Sequence, residues 1–206
     1  METNWATDHL QVIRTLMERS ALYRRALAPV MMVSGSIGLA ATVAPCFVKI
    51  ESNRAFSLFW LAVSLIAITA SFLLVRRQAL KDAEPFWSLP TRRVTQALLP
   101  AFCVGFAAGI YSVFREQPSL PWLLTLAWII IYGCALHAAG FFMQNRMRLF
   151  GWIFIIGGCA VLFASTAQPA LRTTEAAHYL MGGFFGFLHL VCGVYLYFTE
   201  KQRNRS

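Results

Sequence analysis

The chain has 206 residues, of which 58% are hydrophobic and 13% are charged. A soluble domain of this length carries about a quarter charged residues, so the composition excludes an ordinary soluble domain. The length allows one compact domain, and the formal net charge of +9 is spread between apolar runs. We therefore expect contact with a lipid bilayer and no nucleic-acid partner.

Residues 1–25 are predicted to form a cytoplasmic amphipathic helix. Their apolar residues recur at helical spacing: Leu10, Ile13, Leu16 and Met17. The basic residues among and after them are Arg14, Arg19, Arg24 and Arg25. This pattern is typical of a helix that lies on the membrane surface. Such a helix either docks a partner or only anchors the topology.

Six apolar windows follow, each close to the roughly 20 residues that a helix needs to cross the hydrocarbon. They cover residues 26–48, 55–75, 94–114, 121–143, 148–167 and 178–198. Because backbone groups in lipid must be hydrogen-bonded within the chain, each window predicts a helix. The expected fold is an all-α membrane protein, with a six-helix transmembrane bundle over 26–198 and a basic cytoplasmic tail over 199–206.

Short similarities between windows allow a simpler internal organisation. The pair Ala28-Pro29 in the first window resembles Leu99-Pro100 in the third, and Trp60-Leu61 resembles Trp122-Leu123. Three successive helical hairpins would fit, as repeats occur in membrane folds. Chance similarity between apolar helices explains such short matches equally well.

The Lys and Arg residues predict the orientation. With the N-terminus inside, fourteen of them fall in cytoplasmic segments, and four (Lys49, Arg54, Arg115 and Arg172) fall outside. The positive-inside rule therefore predicts that both termini are cytoplasmic. Lys81, Arg92 and Arg93 join the four N-terminal arginines as a candidate cytoplasmic interaction surface.

Catalytic motifs are missing from the sequence. No charged residue lies within a window except Arg148, at the boundary of the fifth, which argues against a proton-coupled transporter. There is no paired carboxylate in the membrane, no H-E-x-x-H and no P-loop. The five cysteines form no C-x-x-C pair, which indicates neither a disulfide framework nor a zinc site. We expect no enzyme activity, metal or cofactor.

Small residues form stripes on several windows. Ser57, Ser64 and Ser71 repeat every seven residues, and Gly182 and Gly186 form a G-x-x-x-G pair, as do Gly105 and Gly109. Such faces let helix backbones approach, so helix packing is the main interpretation. A ligand groove is the alternative.

His178 begins the sixth window, and two further histidines lie deeper within windows, each between glycines on the same helix face. His137 lies between Gly133 and Gly140, and His189 lies between Gly186 and Gly193. Hydrogen bonding to a neighbouring helix is the usual role of a membrane histidine. The alternative is a b-type haem held by both imidazoles in a slot beside the glycines.

The chain resembles an uncharacterised family of small six-span bacterial inner-membrane proteins. The resemblance lies in four segments: 10–19 (LQVIRTLMER), 82–87 (DAEPFW), 132–140 (YGCALHAAG) and 195–200 (YLYFTE). It implies a bacterial inner-membrane location and brings no activity, cofactor or catalytic residue.

Three functions follow from these patterns. The first is a non-catalytic interaction or regulatory subunit that offers its basic cytoplasmic face to a partner or to anionic lipid. The second is a transporter of a small neutral or apolar solute, and the third is a haem-binding membrane protein. The oligomeric state is left open.

Overall fold

The computed structural model describes residues 21–143 and 145–203, and the side chains of 26–143, 145–170 and 172–199. The predicted N-terminal amphipathic helix therefore lies largely outside the described residues, Arg14 and Arg19 included. Arg24 and Arg25 belong to the first turns of a helix that begins at Ala21, and only their backbone is described.

Helices make up almost all of the described chain. Five long helices come first: α1 (Ala21–Val43), α2 (Asn53–Lys81), α3 (Leu89–Val113), α4 (Leu120–Ala139) and α5 (Asn145–Ala167). Short 3₁₀ turns follow α1 and α5, at Ala44–Cys46 and Pro169–Leu171. The sixth span consists of α6 (Thr174–Met181), a π-helical segment (Gly182–Leu188) and α7 (His189–Arg203).

Six helical spans of the described chain are long and apolar enough to cross a membrane. The predicted fold class, an all-α six-helix bundle, is confirmed. The arrangement indicates a multi-pass membrane protein in contact with lipid.

Side-chain caps begin two of the helices. The Ser52 hydroxyl accepts a hydrogen bond from the Ala55 backbone N–H at 3.1 Å, and Thr173 caps α6 in the same way through Ala176. These bonds satisfy N–H groups that have no partner within the first turn of a helix.

The helix ends differ from the predicted windows. Helix α2 continues through Arg76 and Arg77 to Lys81, and α3 begins at Leu89, so residues 82–88 alone connect them. With 29 residues, α2 is about 44 Å long, which exceeds a hydrocarbon core of about 30 Å. The helix therefore continues beyond the apolar run through the more polar residues 76–81. The predicted tail is also helical up to Arg203.

Helix packing does not follow three successive hairpins. The most extensive helix contacts join α4 to α5 and α1 to the sixth span, and those of α1–α2, α3–α4 and α2–α3 follow in that order. The sixth span thus pairs mainly with the first, and it meets α5 through aromatic side chains such as Phe154 and Phe184, whose ring centroids are 5.3 Å apart. The larger buried core joins α1, α4, α5 and α7 through Met31, Ile129, Phe154, Leu196 and their neighbours.

Candidate functional site

A cavity of about 510 Å³ lies between the helices on the α2–α3 side of the bundle. Its wall is formed by α1, α2, α3 and α4, with single residues from α5, α6, the π-helical segment, α7 and the connections 82–88 and 140–144. Its size falls within the range of about 300–1,000 Å³ that is usual for small-molecule sites. One end lies beside Trp60 and Met181, and the other lies beside Phe86 and Thr91.

The wall is mainly apolar. No Asp, Glu, Lys or Arg is among the described residues that line the cavity. The polar side chains that line it are Ser34, Ser64, Ser71, Thr91, Thr95, Trp60, Trp128, Tyr132 and His189. A charged ligand would lose its hydration here without a counter-charge, so the wall favours a neutral one.

The serine stripe of α2 divides into two parts. Ser57 is fully buried against α3, where its hydroxyl lies 2.8 Å from that of Ser112. Ser64 and Ser71 line the cavity together with Ala67. Ser57 therefore takes part in helix packing, whereas Ser64 and Ser71 face the cavity.

A hydrogen-bonded pair, buried His189 and half-buried Tyr132, joins α7 to α4 at the cavity wall. The Tyr132 hydroxyl lies 2.8 Å from His189 Nε2, and His189 Nδ1 lies 3.0 Å from the Phe184 carbonyl oxygen. The π-helical segment ends directly before His189 and supplies that carbonyl. A hydrogen bond to a neighbouring helix is the role predicted for a membrane histidine, and His189 makes one.

Aromatic rings surround this pair. The His189 ring centroid lies 5.2 Å from that of Phe150 and 5.5 Å from that of Phe154, both edge-to-face, and the ring stacks on Phe185 at 6.1 Å. Tyr132 also lies parallel to Phe102, which lines the cavity from α3. These rings and its two hydrogen bonds hold the imidazole in one orientation.

A second buried polar group, which we call the polar cluster, consists of Asn53, Ser57, Trp60, Ser112 and His178. The Asn53 amide donates to the backbone carbonyls of Ser112 (2.8 Å) and Arg115. The Trp60 indole N–H donates to His178 Nδ1 at 3.0 Å. All five residues are at most 5% exposed. The cluster ties α2 to α3 and to α6 at the Trp60 end of the cavity.

The glycines beside His137 form a closed contact with α5. A Cβ atom added to Gly133 would lie 2.9 Å from the Gly151 carbonyl oxygen, and one added to Gly140 would lie 2.7 Å from the Arg148 backbone nitrogen. This approach at Gly140 coincides with the end of α4, four residues before the predicted boundary at 143. The predicted glycine face of α4 is therefore present, and α5 packs against it.

The glycines of the sixth span are covered by α1. A Cβ on Gly186 would lie 2.8 Å from the Leu39 backbone nitrogen, and one on Gly193 would lie 2.7 Å from that of Met32. Gly182 faces Thr42 in the same contact. Across the interface, Gly38 of α1 faces the Phe185 carbonyl oxygen. Both sets of predicted glycines thus lie in helix contacts.

His137 and His189 do not share a slot. His137 packs edge-on against Phe141 and Trp152, with ring centroids 5.4 and 5.3 Å away. Tyr132, the partner of His189, precedes His137 by five residues, which places their side chains about 140° apart around α4. Both ring nitrogens of His189 already have partners, so iron would have to displace one. This geometry gives the haem hypothesis no support.

The predicted basic surface is exposed where it is described. Lys81, Arg92 and Arg93 are exposed at the end of the bundle where α2 ends and α3 begins. The Arg93 guanidinium lies 6.0 Å from the Phe142 ring centroid, beyond α4, and Arg146 of α5 donates to the Thr199 hydroxyl at 2.8 Å. These contacts place basic residues of several helices at one end of the bundle.

Several residues of the site were not predicted. They are Trp60, Trp128, Phe102, Asn53 and Ser112. The sequence did contain an indication of one contact, that between Ser57 and Ser112. Ser57 is the third residue of the second window and Ser112 the third from the end of the third window, so antiparallel neighbours place them at one depth. The sequence carries no comparable signal for the cavity.

No protein-family model, curated protein or solved structure matches this chain. The chemistry of the cavity wall therefore carries the functional inference. The wall can hold an uncharged, mainly apolar molecule, and its hydrogen bonds lie at a few fixed points.

Proposed function

We propose that this multi-pass membrane protein binds and carries a neutral, mainly apolar solute in the 510 Å³ cavity. The observation that supports the proposal is an apolar cavity whose described lining contains no charged side chain. This favours the solute hypothesis over the interaction-subunit hypothesis. We further propose that the protein is not an enzyme.

Tryptophan fluorescence can test the cavity directly, because Trp60 and Trp128 line it. Bromine quenches tryptophan on contact, so a dibrominated alkane added to protein in lipid nanodiscs should quench a saturable part of the emission. Ala67→Phe should abolish that part, since Ala67 lines the cavity. Ala62→Phe is the matched control, because Ala62 is exposed on the same helix. Equal quenching in the two variants would contradict the proposal.

We also propose a bacterial inner-membrane location with both termini in the cytoplasm. The basis is the fourteen-to-four distribution of Lys and Arg. Reporter fusions after Ser206 and within 79–87 should report the cytoplasm, and fusions after Gln117 and Thr173 should report the outside. An external signal from 79–87 would overturn this orientation.

A second function is favoured by the exposed basic residues at the end of α2 and the start of α3. Lys81, Arg92 and Arg93 are exposed and basic and would attract an anionic lipid headgroup or an acidic partner. Native mass spectrometry should find less bound phosphatidylglycerol after Arg92→Ala with Arg93→Ala than after the control substitution Arg115→Ala. Equal retention would remove this second function.

A further inference from the structure

Most of the polar groups around the cavity already donate their hydrogen atoms to partners within the protein. Ser64 donates to the Leu61 carbonyl and Ser71 to the Ala67 carbonyl, both at 2.7 Å. Because Ser71 has used its hydrogen, the 3.2 Å contact between Ser34 and Ser71 requires that Ser34 donate. The wall of the cavity is therefore rich in acceptors that still have free lone pairs.

The two indole N–H groups that line the cavity are also already used as donors. Trp60 donates to His178, and Trp128 donates to the Gly105 carbonyl at 2.8 Å. Only the threonines at the Thr91 end differ: Thr91 shares a hydroxyl contact with Ser88, and Thr95 has no hydrogen bond with the described chain.

The direction of the Tyr132–His189 bond follows from its neighbours. A carbonyl oxygen only accepts, so His189 Nδ1 must carry the hydrogen that bonds to Phe184. A neutral imidazole then offers Nε2 as an acceptor, and a neutral ring is the stable form among aromatic side chains because buried charge is costly. Tyr132 must therefore donate its hydroxyl hydrogen to Nε2.

This chain of donors leaves the Tyr132 oxygen with an unused acceptor position. The oxygen makes no other hydrogen bond with the part of the chain that the structure describes. Donation to His189, itself polarised by the Phe184 carbonyl, makes the oxygen a better acceptor. It lies at the end of a long side chain, whereas the serine oxygens lie against their own helix backbones.

We infer that the solute is an apolar alcohol whose hydroxyl donates a hydrogen bond to Tyr132 Oη. This inference rests on the proposed function and names its ligand class. Among the described side chains, those in contact with Tyr132 offer no free hydrogen, so an ester, ketone or ether gains nothing there. The rings of Phe102 and Phe185 beside Tyr132 would receive the first carbons of the chain.

The test compares dodecan-1-ol with its methyl ether, which has a similar chain and an acceptor but no donor. Each competes with the dibrominated alkane in nanodiscs, and recovery of tryptophan emission gives the affinity. We expect the wild-type protein to bind the alcohol about 2- to 10-fold more tightly than the ether. Tyr132→Phe should lower the alcohol affinity to that of the ether and leave the ether affinity unchanged.

His189→Leu supplies a readout that a purely structural role would not produce. Without Nε2, the Tyr132 hydroxyl is free to donate, so the affinity for the ether should rise and the preference for the alcohol should shrink. This variant also decides the question if Tyr132→Phe does not fold.

The outcomes separate the two proposals. If the brominated alkane shows no saturable quenching, the cavity does not bind solutes, and the inference fails with the proposed function. If the alkane binds but alcohol and ether compete equally, the inference alone is overturned. A preference for the alcohol that survives Tyr132→Phe would also overturn it, because the donor would then bond elsewhere.

Discussion

Helices α4 and α2 differ in how much of each the rest of the protein covers. Half of the apolar stretch of α4 is buried inside the protein, whereas 6% of that of α2 is. Helix α4 meets α5 backbone to backbone at Gly133 and Gly151. Helix α2 is tied by the polar cluster near its start and borders the cavity along much of its length. One part of the bundle is stabilised by close packing, and the other by a few directed hydrogen bonds beside a void.

The largest loss of stability should come from adding a methyl group to a glycine at a close contact between two helices. A methyl group on Gly186 would collide with the Leu39 backbone, which cannot move without displacing α1, so Gly186→Ala should cost about 1–3 kcal/mol. Gly157→Ala should cost less, because its obstacle is the movable ring of Phe184. Gly183→Ala is the matched control, since nothing lies within 4 Å of its added Cβ. Unfolding in detergent measures all three, and equal losses at 186 and 183 would contradict this picture.

A medium effect is expected from the polar cluster. Trp60 and His178 are 118 residues apart in sequence, and their hydrogen bond joins α2 to α6. A double-mutant cycle with Trp60→Phe and His178→Phe should give a coupling energy of about 1 kcal/mol in unfolding experiments. The exposed pair Tyr179 and Glu175 provides a comparison cycle with a smaller coupling. Additive losses at Trp60 and His178 would mean that the bond does not hold α2.

The smallest effect should come from filling the cavity. Ala67→Phe places a ring where space exists, so the free energy of unfolding should change by less than about 1 kcal/mol, in either direction. Ala135→Phe places the same ring at a buried site of α4 that is 2% exposed, and it should destabilise strongly. Similar losses in both variants would show that the α2 side is as tightly packed as the α4 side.

Composition and periodicity were enough to predict the number of helices and which of their residues share a face, but not where each helix ends. The six spans follow from the need to satisfy backbone groups in lipid, which makes each long apolar run a helix. The same-face relation of Gly133, His137 and Gly140 follows from helical spacing and reappears against α5. The extension of α2 to Lys81 was missed, because polar residues outside lipid carry no hydropathy signal for a helix.

Only the tertiary structure decided which faces meet and where space remains. Helical spacing places Gly186 and His189 on one face but does not name α1 as the neighbour of Gly186 or Tyr132 as the partner of His189, which is 57 residues away. Apolar helices are alike in sequence, and their pairing depends on the fit of side-chain volumes across several helices at once. The cavity is what that fit leaves unfilled between α1, α2, α3 and α4, so no single segment encodes it.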